Sequence, residues 1–179
     1  HALNDSYGEI ADYMVQKVLP MYGKPILKLL EDGLDLKGGR PHARRLEVIH
    51  QVCGEEAWEL YVEAIEKGSK EIRLSAIKAL ESVKEKSEQA LPLLLEQVKS
   101  RNREVRSAAY ASLSRQHKDE VVDILINALE GKDIDLAAPY IRKNRSSRLL
   151  EYLIHEAESL ISNLLDKRRK NADKRNPIS

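Results

Sequence analysis

The sequence predicts an all-α protein: an α–α superhelix of about four stacked helical hairpins, with a leading helix before them and a long C-terminal capping helix after. Three observations predict it. Apolar residues recur at i, i+3, i+4 and i+7 almost throughout, and strand-like alternation is nearly absent. The breaks between periodic segments are short, which makes successive helices antiparallel neighbours. Landmarks also recur: Ile65, Val98 and Leu129 fall at spacings of 33 and 31, and Arg73 and Arg106 at 33. Two helices per period of this length mark stacked repeats, in which each pair exposes an apolar side that only the next pair covers.

The elements follow in order. The leading helix spans roughly residues 6–18, with Ala11, Met14, Val15 and Val18 on one face. The first hairpin is 24–31 and 42–52, carrying Ile26, Leu27 and Leu30, then Val48, Ile49 and Val52. The second is 55–67 and 70–83, with Trp58, Tyr61, Val62 and Ile65 opposite Ile72, Ala76, Leu80 and Val83. The third is 88–99 and 103–114, with Leu91, Leu94, Leu95 and Val98, then Val105, Ala108 and Ala109. The fourth is 119–130 and 133–142. The last helix, near 146–168, holds Leu149, Leu150, Leu153, Ile154, Ala157, Leu160, Ile161, Leu164 and Leu165 on one broad stripe. Gly68-Ser69 ends one helix and caps the next, Asn102 caps the helix at Arg103, and Gly131-Lys132-Asp133 is expected to do both jobs again. One repeat domain is expected over 6–168. Residues 1–5, which begin His1-Ala2-Leu3 without a methionine, read as a non-native remnant or disordered, and 169–179 as a basic disordered tail.

Composition narrows the function. Thirty Lys and Arg against 29 Asp and Glu leave a net charge of +1, so global charge draws the chain neither to nucleic acid nor to a membrane. The apolar fraction of 42% supports a core, built from aliphatic residues because aromatics are 4% and Phe is absent. A lone cysteine, Cys53, forms neither a disulfide framework nor a cysteine zinc site. It reads as a small packing residue. Trp58 reads as core. His42, His50, His117 and His155 lack metal-ligand spacing and read as structural. No apolar run approaches a membrane span of roughly 20 residues, and a cytoplasmic location is expected.

The stretch Leu91-Pro92-Leu93-Leu94-Leu95, followed by Glu104-Val105-Arg106-Ser107-Ala108-Ala109, resembles a HEAT repeat. Residues 57–67 with Ile72-Arg73-Leu74-Ser75-Ala76 match nearly as well. Pro25 and Arg45 suggest an earlier degenerate copy. Ile134-Asp135-Leu136-Ala137-Ala138 suggests a later one, in which Pro139 kinks or shortens the helix. The resemblance covers about 24–143 and extends in architecture to HEAT-like DNA glycosylases and phycobilin lyases. It implies that the second helix of each hairpin lines a concave partner-binding face. It also implies an Asp six residues before each repeat arginine, but those positions hold Gly39, Lys67 and Ser100. Arg45, Arg73 and Arg106 therefore need other partners.

The second helices and their starts are rich in cations. Arg44, Arg45, Arg73, Lys78, Arg103 and Arg106 are the candidate partner-binding residues, offered to an acidic protein segment. The alternative is DNA on the same face, without a glycosylase's catalytic set. The bland reading is that these cations pair with nearby carboxylates. No catalytic constellation or cofactor site is expected. The loop Asp35–Arg40 reads as a connection, and Lys167-Arg168-Arg169-Lys170 as a solvated helix end.

Overall fold

The computed structural model describes residue 3, residues 7–116 and residues 118–175, with side chains at all of these except 169 and 172–175. Among them there is no strand. The helices are α1 (Gly8–Tyr13), α2 (Leu27–Asp32), α3 (Arg40–Cys53), α4 (Trp58–Lys67), α5 (Lys70–Leu80), α6 (Ser87–Gln97), α7 (Arg103–Leu113), α8 (Asp119–Glu130), α9 (Ile134–Ile141) and α10 (Ser147–Arg175). The proposed remnant at 1–5 lies, apart from Leu3, outside the described residues. So do His117 and the last four residues of the tail.

The chain forms two compact units, His1–Gln116 and His117–Ser179. In the first, α2–α3, α4–α5 and α6–α7 are hairpins whose second helices stack in the order α3, α5, α7. Ile72, Ala76, Ile77 and Leu80 of α5 are essentially inaccessible, as are Leu46, Val48 and Ile49 of α3 and Val105, Ala109 and Leu113 of α7. Burying each large aliphatic residue contributes about 1.5–3 kcal/mol. At the start of this unit Leu3, Val15, Leu30, Val48 and Ile49 form a cluster, against which Leu60 and the half-buried Cys53 pack. Burial pushes the Cys53 thiol above its usual range. In the second unit α8 packs against α9 and α10, burying Val121, Val122, Leu125, Leu136 and Leu149.

Local chemistry sets the boundaries. Ser69 accepts from the Ile72 N–H at 3.3 Å, and Asn102 accepts from Glu104 at 2.9 Å and Val105 at 3.2 Å. Gly68 is required by close approach, since a Cβ there would sit 2.2 Å from the Ala64 carbonyl oxygen and 2.7 Å from Ile72 Cγ2. Gly54 closes α3 at φ 55°, a conformation that costs other residues energy. Asp133 does not make the expected side-chain cap. Its backbone is not extended (φ −98°, ψ 15°), and its carbonyl instead accepts from Leu136 and Ala137. Pro139 lies in α9, which ends two residues later at Ile141. The leading helix departs from a single α-helix over 6–18. It is α-helical to Tyr13, passes through a wider π turn at Met14–Val18, and tightens to a 3₁₀ turn at Leu19–Tyr22, where Pro20 has no N–H to continue the ladder.

The last helix runs on to Arg175. Its first turns pack on α8 through Leu149, with Arg148 paired to Asp123 and the Tyr152 hydroxyl donating to Glu130 at 3.2 Å. From Ile154 to Arg168 every residue is exposed. No helix among the described residues is long and apolar enough to cross a membrane.

The second hairpin's connection is held by the first hairpin's. The Ser69 N–H donates to the Leu36 carbonyl at 2.7 Å, the Ser69 hydroxyl donates to the Gly38 carbonyl at 2.6 Å, and Lys37 Nζ reaches the Lys67 carbonyl. Ser69→Ala removes both the helix cap and the inter-loop hydroxyl bond. It is expected to lower stability by about 1–2 kcal/mol in urea unfolding. Ser87→Ala, where no such bonds are made, serves as the control and should cost well under that.

Candidate interaction face

The exposed side of α3, α5 and α7 carries two adjoining hollows, of about 390 and 460 Å³, which share Glu47, Ser75 and Lys78. The charges lining them are balanced. Arg40, Lys70, Lys78 and Arg115 face Glu47, Glu71, Glu81 and Glu104. Pairing runs mainly between successive helices. Lys78 of α5 meets Glu47 of α3 at 3.5 Å, Lys70 of α5 meets Glu104 of α7 at 3.2 Å and Glu71 at 3.4 Å, and Arg115 beyond α7 meets Glu81 beyond α5. Arg40 pairs with Asp12 at 3.0 Å. Ser75 donates its hydroxyl to the Ala43 carbonyl at 3.2 Å. The contacts of Lys78 with Glu47, Lys70 with Glu104, Arg115 with Glu81 and Ser75 with Ala43, 31 to 34 residues apart in sequence, are rungs between repeats.

The candidate arginines lie elsewhere than on a free basic row. Arg44 is buried, its side chain 7% exposed. Its Nε and Nη2 hold Asp12 at 2.9 and 2.8 Å, and its remaining donors reach the Leu3 and Gly8 carbonyls. It secures α1, and its guanidinium holds the Asp12 carboxyl below its usual pKa. Arg45 lies against Gly33 and donates weakly to the Pro41 carbonyl at 3.4 Å. Arg106 donates to the carbonyls of Ser100 at 3.0 Å and Arg101 at 3.3 Å. Arg73 borders the 98–102 loop of the next hairpin, and its Nε is buried without a hydrogen-bond partner. Thus two of the three repeat arginines use carbonyls in place of the absent aspartates. Arg103 is exposed at the start of α7, and Lys78, with a side chain 73% exposed, is the one candidate residue that lines the hollows.

One neutral rung escaped sequence reading. His50 Nδ1 lies 2.9 Å from the Tyr61 hydroxyl, and Nε2 lies 2.8 Å from Ser82 Oγ. Tyr61 donates to the Gly54 carbonyl, so neutral His50 gives its Nδ1 hydrogen to Tyr61 and accepts from Ser82 at Nε2. Protonation would turn Nε2 into a donor, and the Ser82 hydrogen would move to the Ala79 carbonyl, 2.9 Å away. The serine–histidine pair has no local oxyanion donors, because the backbone N–H groups of Ser82 and Val83 are spent on Ala79 and Leu80. The 32-residue spacing of His50 and Ser82 matches the other rungs and was the available signal. Elsewhere, His42 accepts from the Asp35 N–H at 3.0 Å, and His155 is exposed. Trp58 is buried with Lys86 5.2 Å above its ring. Among the described residues no three His, Cys, Asp or Glu groups converge as metal ligands. The 35–40 loop spends its backbone on Asp35 and on Ser69.

Residues 59–138 match the family model for HEAT repeats, and this stretch of the chain is made of HEAT repeats. No curated protein and no solved structure matches the chain. HEAT repeats generally mediate protein–protein interaction or scaffolding, and they are typically non-catalytic.

Burial and the Lys78 ammonium lower the His50 pKa below its ordinary 6.5, with Glu47 opposing. The native state therefore takes up a proton less readily than the unfolded chain. The resulting stability is complete above about pH 6.5 and is lost as pH falls through the depressed native value. Thermal unfolding between pH 7.5 and 5 is expected to show this loss. His50→Gln, which keeps a hydrogen-bonding side chain without titrating, should flatten the slope, and an unchanged slope would assign it to other groups.

Proposed function

We propose that the protein is a non-catalytic interaction module that holds a protein segment of mixed charge against the α3–α5–α7 face. The supporting observation is the alternation of carboxylates and cations, half-buried to exposed, along an open groove. Exposed ion pairs contribute only about 0–1 kcal/mol each, so a partner can replace them at little cost while gaining its own pairs. Complementary charge then sets register and selectivity. The arginine-rich set read from sequence suits a purely acidic segment. The groove's own glutamates suit one that carries lysine or arginine as well. The same glutamates repel a polyanion, so the geometry favours protein over DNA on this face. A cytoplasmic setting remains part of the proposal.

Fluorescent peptides of alternating Glu and Lys, all-Glu peptides, and duplex DNA, titrated at low and moderate salt, test the reading. The mixed peptide should bind best. Exchanging one rung, Glu47→Lys with Lys78→Glu, preserves the pair and the net charge but reverses the pattern. It should weaken mixed-peptide binding about tenfold, or 1.4 kcal/mol, with thermal stability nearly unchanged. Preference for all-Glu peptide would restore the acidic-partner reading, DNA binding lost on the exchange would favour nucleic acid, and no binding by any probe would overturn the assignment of this face.

A further inference from the structure

The proposed groove leaves α10 unused, and among the described residues α10 carries a long run of exposed apolar side chains. Leu150, Ile154, Leu160, Ile161, Leu164 and Leu165 are 49–61% exposed. At about 100° per residue, every residue of 149–165 within an arc of about 160° is apolar. Leu150, Leu153, Ala157, Leu160 and Leu164 follow the alternating three- and four-residue spacing by which two helices interlock. The stripe is roughly 24 Å long. Such a surface marks a site of association.

The charges on the helix identify what fits. Residues 147–158 hold Arg148 against Glu151, Glu156 and Glu158, a net −2. Residues 159–170 hold Asp166 against Lys167, Arg168, Arg169 and Lys170, a net +3. Arg148 is already engaged by Asp123, so the first half presents itself as more acidic still. A parallel copy would set like against like. An antiparallel copy, turned about a point between Glu158 and Ser159, sets each acidic half against a basic half. The same turn places Ala157 opposite Leu160 and Leu153 opposite Leu164, so the stripe meets itself over its central three turns, while Leu150 falls opposite Lys167, whose alkyl stem can lie along it. An anionic lipid surface fits less well, because Glu151, Glu156, Glu158 and Asp166 lie beside or behind the stripe and would be repelled.

We infer that α10 is a self-association helix, pairing antiparallel with α10 of a second copy across the stripe Leu150–Leu164. A two-helix interface of this length buries on the order of 1,000 Å² in total, near the lower limit for a specific contact, which makes the dimer reversible. Sedimentation of the full chain between about 1 and 100 µM should show a monomer–dimer equilibrium. Leu160→Glu with Leu164→Glu should hold the protein monomeric at the highest concentration with its far-UV dichroism unchanged. Orientation is read by oxidative cross-linking in a Cys53→Ala background. Leu153→Cys mixed with Leu164→Cys should cross-link, and either variant alone should not. A protein that stays monomeric, a dimer indifferent to the two glutamates, cross-links formed by each cysteine variant alone, or a monomer that sediments with phosphatidylserine vesicles would each overturn the inference.

Discussion

The first unit depends on α5 being covered on several sides at once. Its apolar residues pack on α3, α4 and α7, and no side chain within a single hairpin can supply that cover. Burying Ile72, Ile77 and Leu80 therefore requires three consecutive hairpins in register. The polar contacts work within that constraint. Ser69 ties one connection to the next, and the ion-pair rungs cross from one second helix to the following one. Each is weak alone, but each is correct only when the apolar stack has already set the spacing.

That order of causes explains what the family's arginines do here. A guanidinium at the edge of a hairpin must find acceptors. The positions six residues before Arg45, Arg73 and Arg106 are Gly39, Lys67 and Ser100, none of them a carboxylate, so Arg106 turns to loop carbonyls and Arg45 lies against its own connection. Arg44, one residue earlier in the turn than Arg45, faces inward and fastens α1 through Asp12. The cations that remain on the open face belong to pairs. The face is thus defined by alternating sign rather than by excess of one sign.

The hairpins, their order and two of their caps were legible in the sequence because they rest on local rules: helical spacing, a serine or asparagine before a helix, a glycine at a tight junction. The site was less legible. Adjacent arginines 44 and 45 look alike in sequence, yet a rotation of 100° puts one in the interior and the other at the edge. The π turn after Tyr13 has no distinctive residue pattern, and Asp133 has the composition of a cap without the backbone angles. His50 and Ser82 are far apart in the chain, and only the stacking of α3 on α5 brings them together. Charge placement followed the same rule: a count of lysines and arginines per helix does not reveal which carboxylate of the neighbouring helix each one meets.

The burial of Trp58 beneath Lys86 has a practical corollary. The chain has one tryptophan, and it reports on the first compact unit alone. Indole emission therefore follows the melting of that unit, while helical ellipticity sums over both. Where the two signals part company, the difference is the separate melting curve of the segment beyond Gln116.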